Sequence, residues 1–189
     1  TWFATLWNNP LRMGWFCLHP LGQSLAVAFF TYGILTLQPT PEPKGKVKSL
    51  QRHQIYIFFA GLPTVFIGTM AVIIHKFISG KTHFRSFHAI IGLAVFVWIL
   101  IQIAVGGGSV WFGGALFGGG GRAKRIYKYH RLSGYTLYIL LWVTCHLGGQ
   151  YSHWSSTYTL FPLRTLAYTI CPIIVVGAVA VRIRCVHKV

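Results

Sequence analysis

Apolar positions along the chain gather into five long runs, separated by short stretches rich in basic, glycine or proline residues. The runs are read as helices A (His19 to Leu37), B (Gln51 to Ile74), C (His88 to Val105), D (Tyr127 to Gln150) and E (Leu160 to Val181). Each is about 18 to 24 residues long, enough to cross a hydrocarbon core about 30 Å thick. The expected fold is an all-α integral membrane protein, an antiparallel bundle of five transmembrane helices around a central four-helix core. The whole chain, 1–189, reads as one domain, with its core at 19–150 and a peripheral last helix at 160–184. Thr1 to Leu18, Trp-rich and broken at Asn8-Asn9-Pro10, suits the membrane interface. Gln38 to Leu50, with Pro39, Pro41, Pro43 and Gly45, reads as a helix-breaking link, and Gly106 to Gly121 as a flexible connector. Pro172 predicts a kink in helix E. No internal repeat is visible beyond the histidines that open helices A to D.

Composition sharpens this picture. The chain is 54% hydrophobic and only 10% charged, whereas soluble domains carry about 25% charged residues. Seventeen Lys and Arg face one acid, Glu42, which excludes paired-carboxylate catalysis and carboxylate-built calcium or magnesium sites. The net charge of +16 lies between apolar runs rather than on a soluble face, so anionic lipid and small anions are the expected partners, not nucleic acid. Twelve of the basic residues fall at the ends where B and D begin, against five (Arg12, Lys76, Lys81, Arg85, Arg164) at the other. The positive-inside rule therefore puts the basic loops and the C-terminus in the cytoplasm of a multi-pass protein. Cys17, Cys145, Cys171 and Cys185 are widely spaced and form no CxxC pair, so they read as small buried apolar residues. No signal peptide is visible within the chain.

The candidate chemistry lies in four histidines. His19 and His88 open helices A and C at one level, and His53 and His130 open B and D at the other. In an up-down-up-down bundle these are diagonal pairs across the core. Two facing imidazoles can fill both axial positions of a haem iron, and ionisable residues inside a membrane default to function. The expectation is two haem b groups with His19 and His88 on one iron and His53 and His130 on the other. Gly92 and Gly134 each follow a histidine by four residues on the same helical face, where a porphyrin could lie against the backbone. Gly22, three after His19, is read the same way. Four histidines at two depths cannot close one zinc tetrahedron. With both axial positions filled, one-electron transfer is the task expected, between levels about 20 Å apart. His153 and His187 read as interfacial or solvated, while His146 lies on helix D near the end where A begins.

These residues resemble the cytochrome b561 family. The resemblance runs from Leu18-His19-Pro20 through helix E and is closest to the short, single-domain members. It is carried by His19-Pro20, Arg52-His53-Gln54, His75-Lys76 with Gly80-Lys81-x-His83 and His88, Gln102 with Gly106-Gly107, and Tyr129-His130 with Gly134. The resemblance implies six helices, the central four holding two b haems, and cytosolic ascorbate as electron donor. It implies that Lys44, Lys48 and Arg122 bind ascorbate. It also implies a pocket on the opposite side at His75, with Lys76, Lys81 and His83 beside it, where the acceptor is monodehydroascorbate or a ferric chelate. The family's first helix has no counterpart within the chain and is expected to precede Thr1 or to be lost. Members are often dimeric, so a homodimer is an expected partner state.

The lead reading is a transmembrane ascorbate-dependent oxidoreductase. Two others stand beside it: a di-haem membrane anchor of a larger quinone-linked dehydrogenase, and a structural or transport bundle without haem. A flavin-linked ferric reductase is disfavoured, since its core pairs histidines on one helix.

Overall fold

The computed structural model describes residues 1–37 and 43–186. The link residues 38–42, together with residues 187–189, lie outside the described residues. All regular structure among the described residues is helical. Two short helices, α1 (Trp2–Trp7) and α2 (Pro10–Met13), and a tight turn Gly14–Cys17 lead into α3 (Leu18–Thr36). Then α4 (Pro43–Gln54) passes through a wide turn Ile55–Gly61 into α5 (Leu62–Ile78). Helix α6 (Phe87–Val110) is followed by a tight turn Trp111–Phe117 and by α7 (Gly120–Tyr151). The short α8 (His153–Tyr158) and α9 (Phe161–Thr165) lead through a second wide turn, Leu166–Ile170, into α10 (Cys171–Val186).

Among the described residues, three helical stretches are long and apolar enough to cross a membrane by themselves: Lys44–Ile78, Phe87–Phe117 and Phe161–Ile183. The chain is thus a helical membrane protein. Helices α3 and α7 have 19 and 32 residues, so length is sufficient. Their lower hydropathy comes in part from polar side chains that bond inside the bundle and, in α7, from the exposed basic residues between Arg122 and Arg131. Gln23 donates to the Val65 carbonyl at 3.2 Å and to Thr69 Oγ1 at 3.0 Å, and the Thr31 and Tyr138 hydroxyls meet at 3.0 Å. Groups satisfied inside the protein do not face hydrocarbon unpaired.

Two expected breaks are helix instead. Residues 43–50, read as link, form the start of α4, because Pro43 stands in a first turn that has no N–H to lose and the Lys, Gln and Arg that follow are good helix formers. Gly106, Gly107 and Gly108, read as flexible connector, belong to α6. Each is held by a side chain laid against it: His130, Trp111, and Leu116 with Phe117, respectively. Packing there overrides poor helix propensity. The chain reverses only after Val110, where Gly113 and Gly114 take φ of 66° and 76°, a region that suits residues without a Cβ. Ser86 caps α6, its hydroxyl accepting from the Ala89 N–H at 3.3 Å.

Each wide turn ends two residues before a proline, Pro63 and Pro172. Each ring lacks an N–H for the carbonyl four residues back, and the helix widens where that bond is missing. The kink expected at Pro172 is this widening. The freed Tyr168 carbonyl accepts a hydrogen bond from His146 Nδ1 at 3.0 Å, fastening the last helix to α7.

Helix α3 packs along the α4–α5 helix, and α6 packs along α7. The two pairs meet through an apolar core of Ala26, Val27, Phe30, Val65, Val95, Ile99, Leu137 and Leu141. Without a solvent-driven hydrophobic term between membrane helices, close packing holds such pairs together. A Cβ at Gly22 would stand 3.2 Å from the Thr64 carbonyl and 3.3 Å from the Gly68 Cα. Gly22 therefore serves the approach of α3 to α5, not the porphyrin face suggested by its spacing. At Gly61 a Cβ would strike the Phe30 ring. Replacing Gly61 by Val is expected to cost about 1–3 kcal/mol through overpacking. It should lower the thermal unfolding midpoint in detergent, whereas Gly177→Val, at an open position, should leave it nearly unchanged.

Candidate metal centres

Only two of the four histidines expected to open helices do so, because α4 and α7 begin earlier than the apolar runs suggest. His19 lies in the first turn of α3 and His88 in that of α6, while His53 and His130 are each the eleventh residue of their helices, α4 and α7. The fold brings them together in two pairs. The rings of His19 and His88 lie 5.9 Å apart, centroid to centroid, with planes at 75°. Those of His53 and His130 lie 6.5 Å apart with planes at 86°. The pairs predicted from helix direction are the pairs the structure forms.

The ring tautomer follows from hydrogen bonding. His19 Nδ1 bonds the Gly68 carbonyl at 3.0 Å, His53 Nδ1 the Gly33 carbonyl at 3.0 Å, and His88 Nδ1 the Thr144 carbonyl at 2.9 Å. A carbonyl only accepts, so Nδ1 carries the proton in each and Nε2 keeps its lone pair for a metal. His130 differs: its Nδ1 is buried without a hydrogen bond of good geometry, and the nearby backbone acceptor is the Gln102 carbonyl. Gln102 is itself buried, its amide nitrogen donating to Ser133 Oγ and its Oε1 left without a partner.

These acceptors obey one rule. Gly33, Gln102 and Thr144 each lie 14 residues after the histidine of their own helix, and Gly68 lies 15 after His53. Four helical turns are about 14.4 residues, so each acceptor sits on the face of its own helix's histidine, about 21 Å further along. Within each antiparallel pair, each helix therefore supplies one imidazole and orients its neighbour's.

The donor set fits haem b. A metal–imidazole bond is about 2.0–2.1 Å, so the centroids of two axial rings on one metal stand about 6.3 Å apart. The two observed separations bracket this value. Each pair brings two donors, and no cluster of three or more His, Cys, Asp or Glu occurs among the described residues. A macrocycle that supplies four equatorial nitrogens meets that requirement. At the His53 end a cavity of about 850 Å³ lies between the helices, within the roughly 300–1,000 Å³ usual for cofactor sites. His53, His130, Gly106, Gly134, Phe30 and Tyr138 are among its lining.

The other expected residues are placed as follows. Gly134 opens onto that cavity, with nothing near the position of an added Cβ, while a Cβ added at Gly92 would lie 3.4 Å from Thr144 Cγ2. The basic residues lining the cavity are Lys46, Lys124 and Arg131. Lys44 and Lys48 are exposed one turn apart on α4, on a different face from Lys46. Arg122 lies with Arg125 beside a separate hollow formed by Gly118 to Gly121. At the opposite end, the Phe16 ring lies 6.2 Å from His19, 5.6 Å from His75 and 6.0 Å from Trp154. Lys76 Nζ donates to the Thr82 carbonyl at 3.1 Å, tying the end of α5 to the loop that holds Lys81 and His83. Lys81 is exposed and the His83 ring lies 5.8 Å from Phe84.

Sequence reasoning missed Lys46, Phe16 and the glycines under the imidazoles. A Cβ at Gly148 would come within 2.6 Å of His88, and one at Gly106 within 2.6 Å of His130. The signal was present: Gly106 follows His88, and Gly148 follows His130, by 18 residues, or about five turns of one helix face.

A helical membrane bundle that opposes two imidazole pairs at two depths defines a membrane protein built to hold a flat metal cofactor. The family model for eukaryotic cytochrome b561 matches residues 18–156, and the chain belongs to that family. Its members are transmembrane oxidoreductases that bind b-type haem and transfer electrons. Comparison with curated proteins gives no match. His88→Ala is expected to lower the haem content of the purified protein by one per chain and leave the His53–His130 centre intact. Full haem content by pyridine haemochrome assay would overturn the ligand pairing.

Proposed function

We propose that this chain carries electrons across a membrane on two b haems, one held by His19 and His88 and the other by His53 and His130. It takes electrons from cytosolic ascorbate and delivers them to monodehydroascorbate or a ferric chelate on the other side. The observation that carries this reading is the pair of imidazole separations, 5.9 and 6.5 Å, each matching two axial ligands on one metal. In this reading all five long helices cross the membrane, and the basic end with Lys46, Lys124 and Arg131 faces the cytoplasm.

Haem b, when bound, supplies a reversible one-electron couple. The chain's own residues do the rest. His19, His53 and His88 turn Nδ1 to a backbone carbonyl and keep Nε2 free, and with His130 they would hold the irons and leave no coordination position for oxygen. The apolar core of Val27, Phe30, Val65, Val95, Ile99, Leu137 and Leu141 fills the space between the two levels and keeps water out. At the cytoplasmic end, the lysines and arginines of α4 and α7 attract an anionic reductant. At the far end, Phe16 spans from His19 to His75, with Lys76, Lys81 and His83 next to it in the loop. That cluster suits an anionic radical or a chelated ferric ion.

The direct test is an optical spectrum of the purified chain, oxidised and then titrated with ascorbate, with haem counted per polypeptide. Two low-spin b haems reduced by ascorbate are expected. Two haems that ignore ascorbate would favour a quinone-linked anchor, and a colourless folded protein would remove the haem reading altogether. Substituting Lys44 and Lys48 together by Ala is expected to slow reduction by ascorbate several-fold more than reduction by neutral dithiothreitol. The same comparison with Lys46 and Lys124 tells whether the anion enters by the outer face of α4 or by the cavity. Equal slowing with both reductants in both variants would argue against an anion site.

A further inference from the structure

Gly148 and Gly106 occupy equivalent places on the two helices of one antiparallel pair. Gly148 of α7 follows Thr144 by four residues, and Gly106 of α6 follows Gln102 by four. Each glycine thus stands one turn beyond the carbonyl that faces its neighbour's imidazole. A Cβ added at Gly148 would lie 2.6 Å from Cε1, 2.7 Å from Nδ1 and 3.1 Å from Nε2 of His88. One added at Gly106 would lie 2.6 Å from Cε1, 3.1 Å from Nδ1 and 3.2 Å from Nε2 of His130. The bare backbone of one helix therefore forms a flat seat for the ring of the other.

We propose that Gly148 and Gly106 are positioning residues that fix the tilt and plane of the His88 and His130 imidazoles, and so the orientation in which each presents Nε2 to the iron. The proposal rests on the reading of these histidines as haem ligands. Carbon atoms pack at about 3.5–4.0 Å, so a methyl group at either seat must push the ring back by about 1 Å. The ring has little freedom to yield. His88 is tethered through Nδ1 to the Thr144 carbonyl at 2.9 Å and faces His19 at 5.9 Å. A displaced ring must give up that hydrogen bond, rotate out of its near-perpendicular relation to His19, or leave the iron.

The assignment crosses between helices, which separates it from an ordinary packing role. Gly148 lies on the helix of His130 but serves His88, and Gly106 lies on the helix of His88 but serves His130. Damage from Gly148→Ala should therefore appear at the His19–His88 centre while the histidine on its own helix keeps its haem, and Gly106→Ala should do the reverse.

The test uses the full chain purified with its haem, as wild type, Gly148→Ala, Gly106→Ala and, as a control at an open position, Gly177→Ala. Haem is counted, each haem's midpoint potential is titrated, and the low-spin ferric signals are recorded by electron paramagnetic resonance, whose g-values depend on the angle between axial imidazole planes. The signal lost in His88→Ala identifies the His19–His88 haem. Expected is loss or displacement of that one signal in Gly148→Ala, and of the other in Gly106→Ala, with Gly177→Ala unchanged. Either variant suffices alone should the other yield no protein. Both signals untouched, or both altered together, in a variant whose wild type holds two haems would overturn the seats while leaving the ligand pairs standing. A wild type without two b haems would instead sink the ligand assignment, and the seats with it.

Discussion

The constraint on which this bundle depends is the hydrogen bond from an imidazole Nδ1 to a backbone carbonyl of the neighbouring antiparallel helix. Three such bonds are formed, to Gly68, Gly33 and Thr144, and the Gln102 carbonyl stands at the fourth position. Each fixes a tautomer, aims Nε2 inward and sets the axial register of two helices. A slide of either helix by one residue would move the acceptor about 1.5 Å along the axis and 100° around it. Ligand geometry and helix register are therefore one property, and a cofactor held by these histidines would lock the same register from the inside.

The two halves of the bundle meet this constraint differently. Between α3 and the α4–α5 helix, Gly22 packs against the Gly68 backbone and Gly33 against the Ile57 side chain, and Gly33 and Gly68 also offer the accepting carbonyls. Between α6 and α7, the acceptors are Gln102 and Thr144, and the glycines stand one turn beyond, beneath the rings. Small residues at a membrane helix interface usually serve helix approach alone. In this fold they also make room for aromatic rings at both depths, and Trp111 against Gly107 repeats the arrangement near the cavity at the His53 end.

Much of this was legible in the chain. Apolar run length gave the long helices, and helix direction gave the pairing of His19 with His88 and of His53 with His130, because alternation of crossings is a topological rule that needs no packing detail. The helical start of α4 was hidden because Pro39, Pro41, Pro43 and Gly45 look like punctuation, while only packing and first-turn tolerance show that the helix has begun. Gly106 to Gly108 were misread for a related reason: propensity is a local quantity, and the rings that hold those glycines helical come from α7 and from the turn beyond. The face of α4 that meets the cavity was likewise beyond reach of composition, since Lys44, Lys46 and Lys48 are alike in charge and differ only in rotation about the helix axis.

The bond from His146 to the Tyr168 carbonyl bears on which substitutions the last helix can accept. The acceptor is backbone, so it persists whatever side chain occupies position 168, and it is vacant because position 172 is a proline. The identity that matters is thus displaced four residues from the atom that makes the contact. Alanine at position 168 would remove the hydroxyl that bonds Thr1 and the ring that packs on Gly149, yet leave in place the carbonyl that His146 holds.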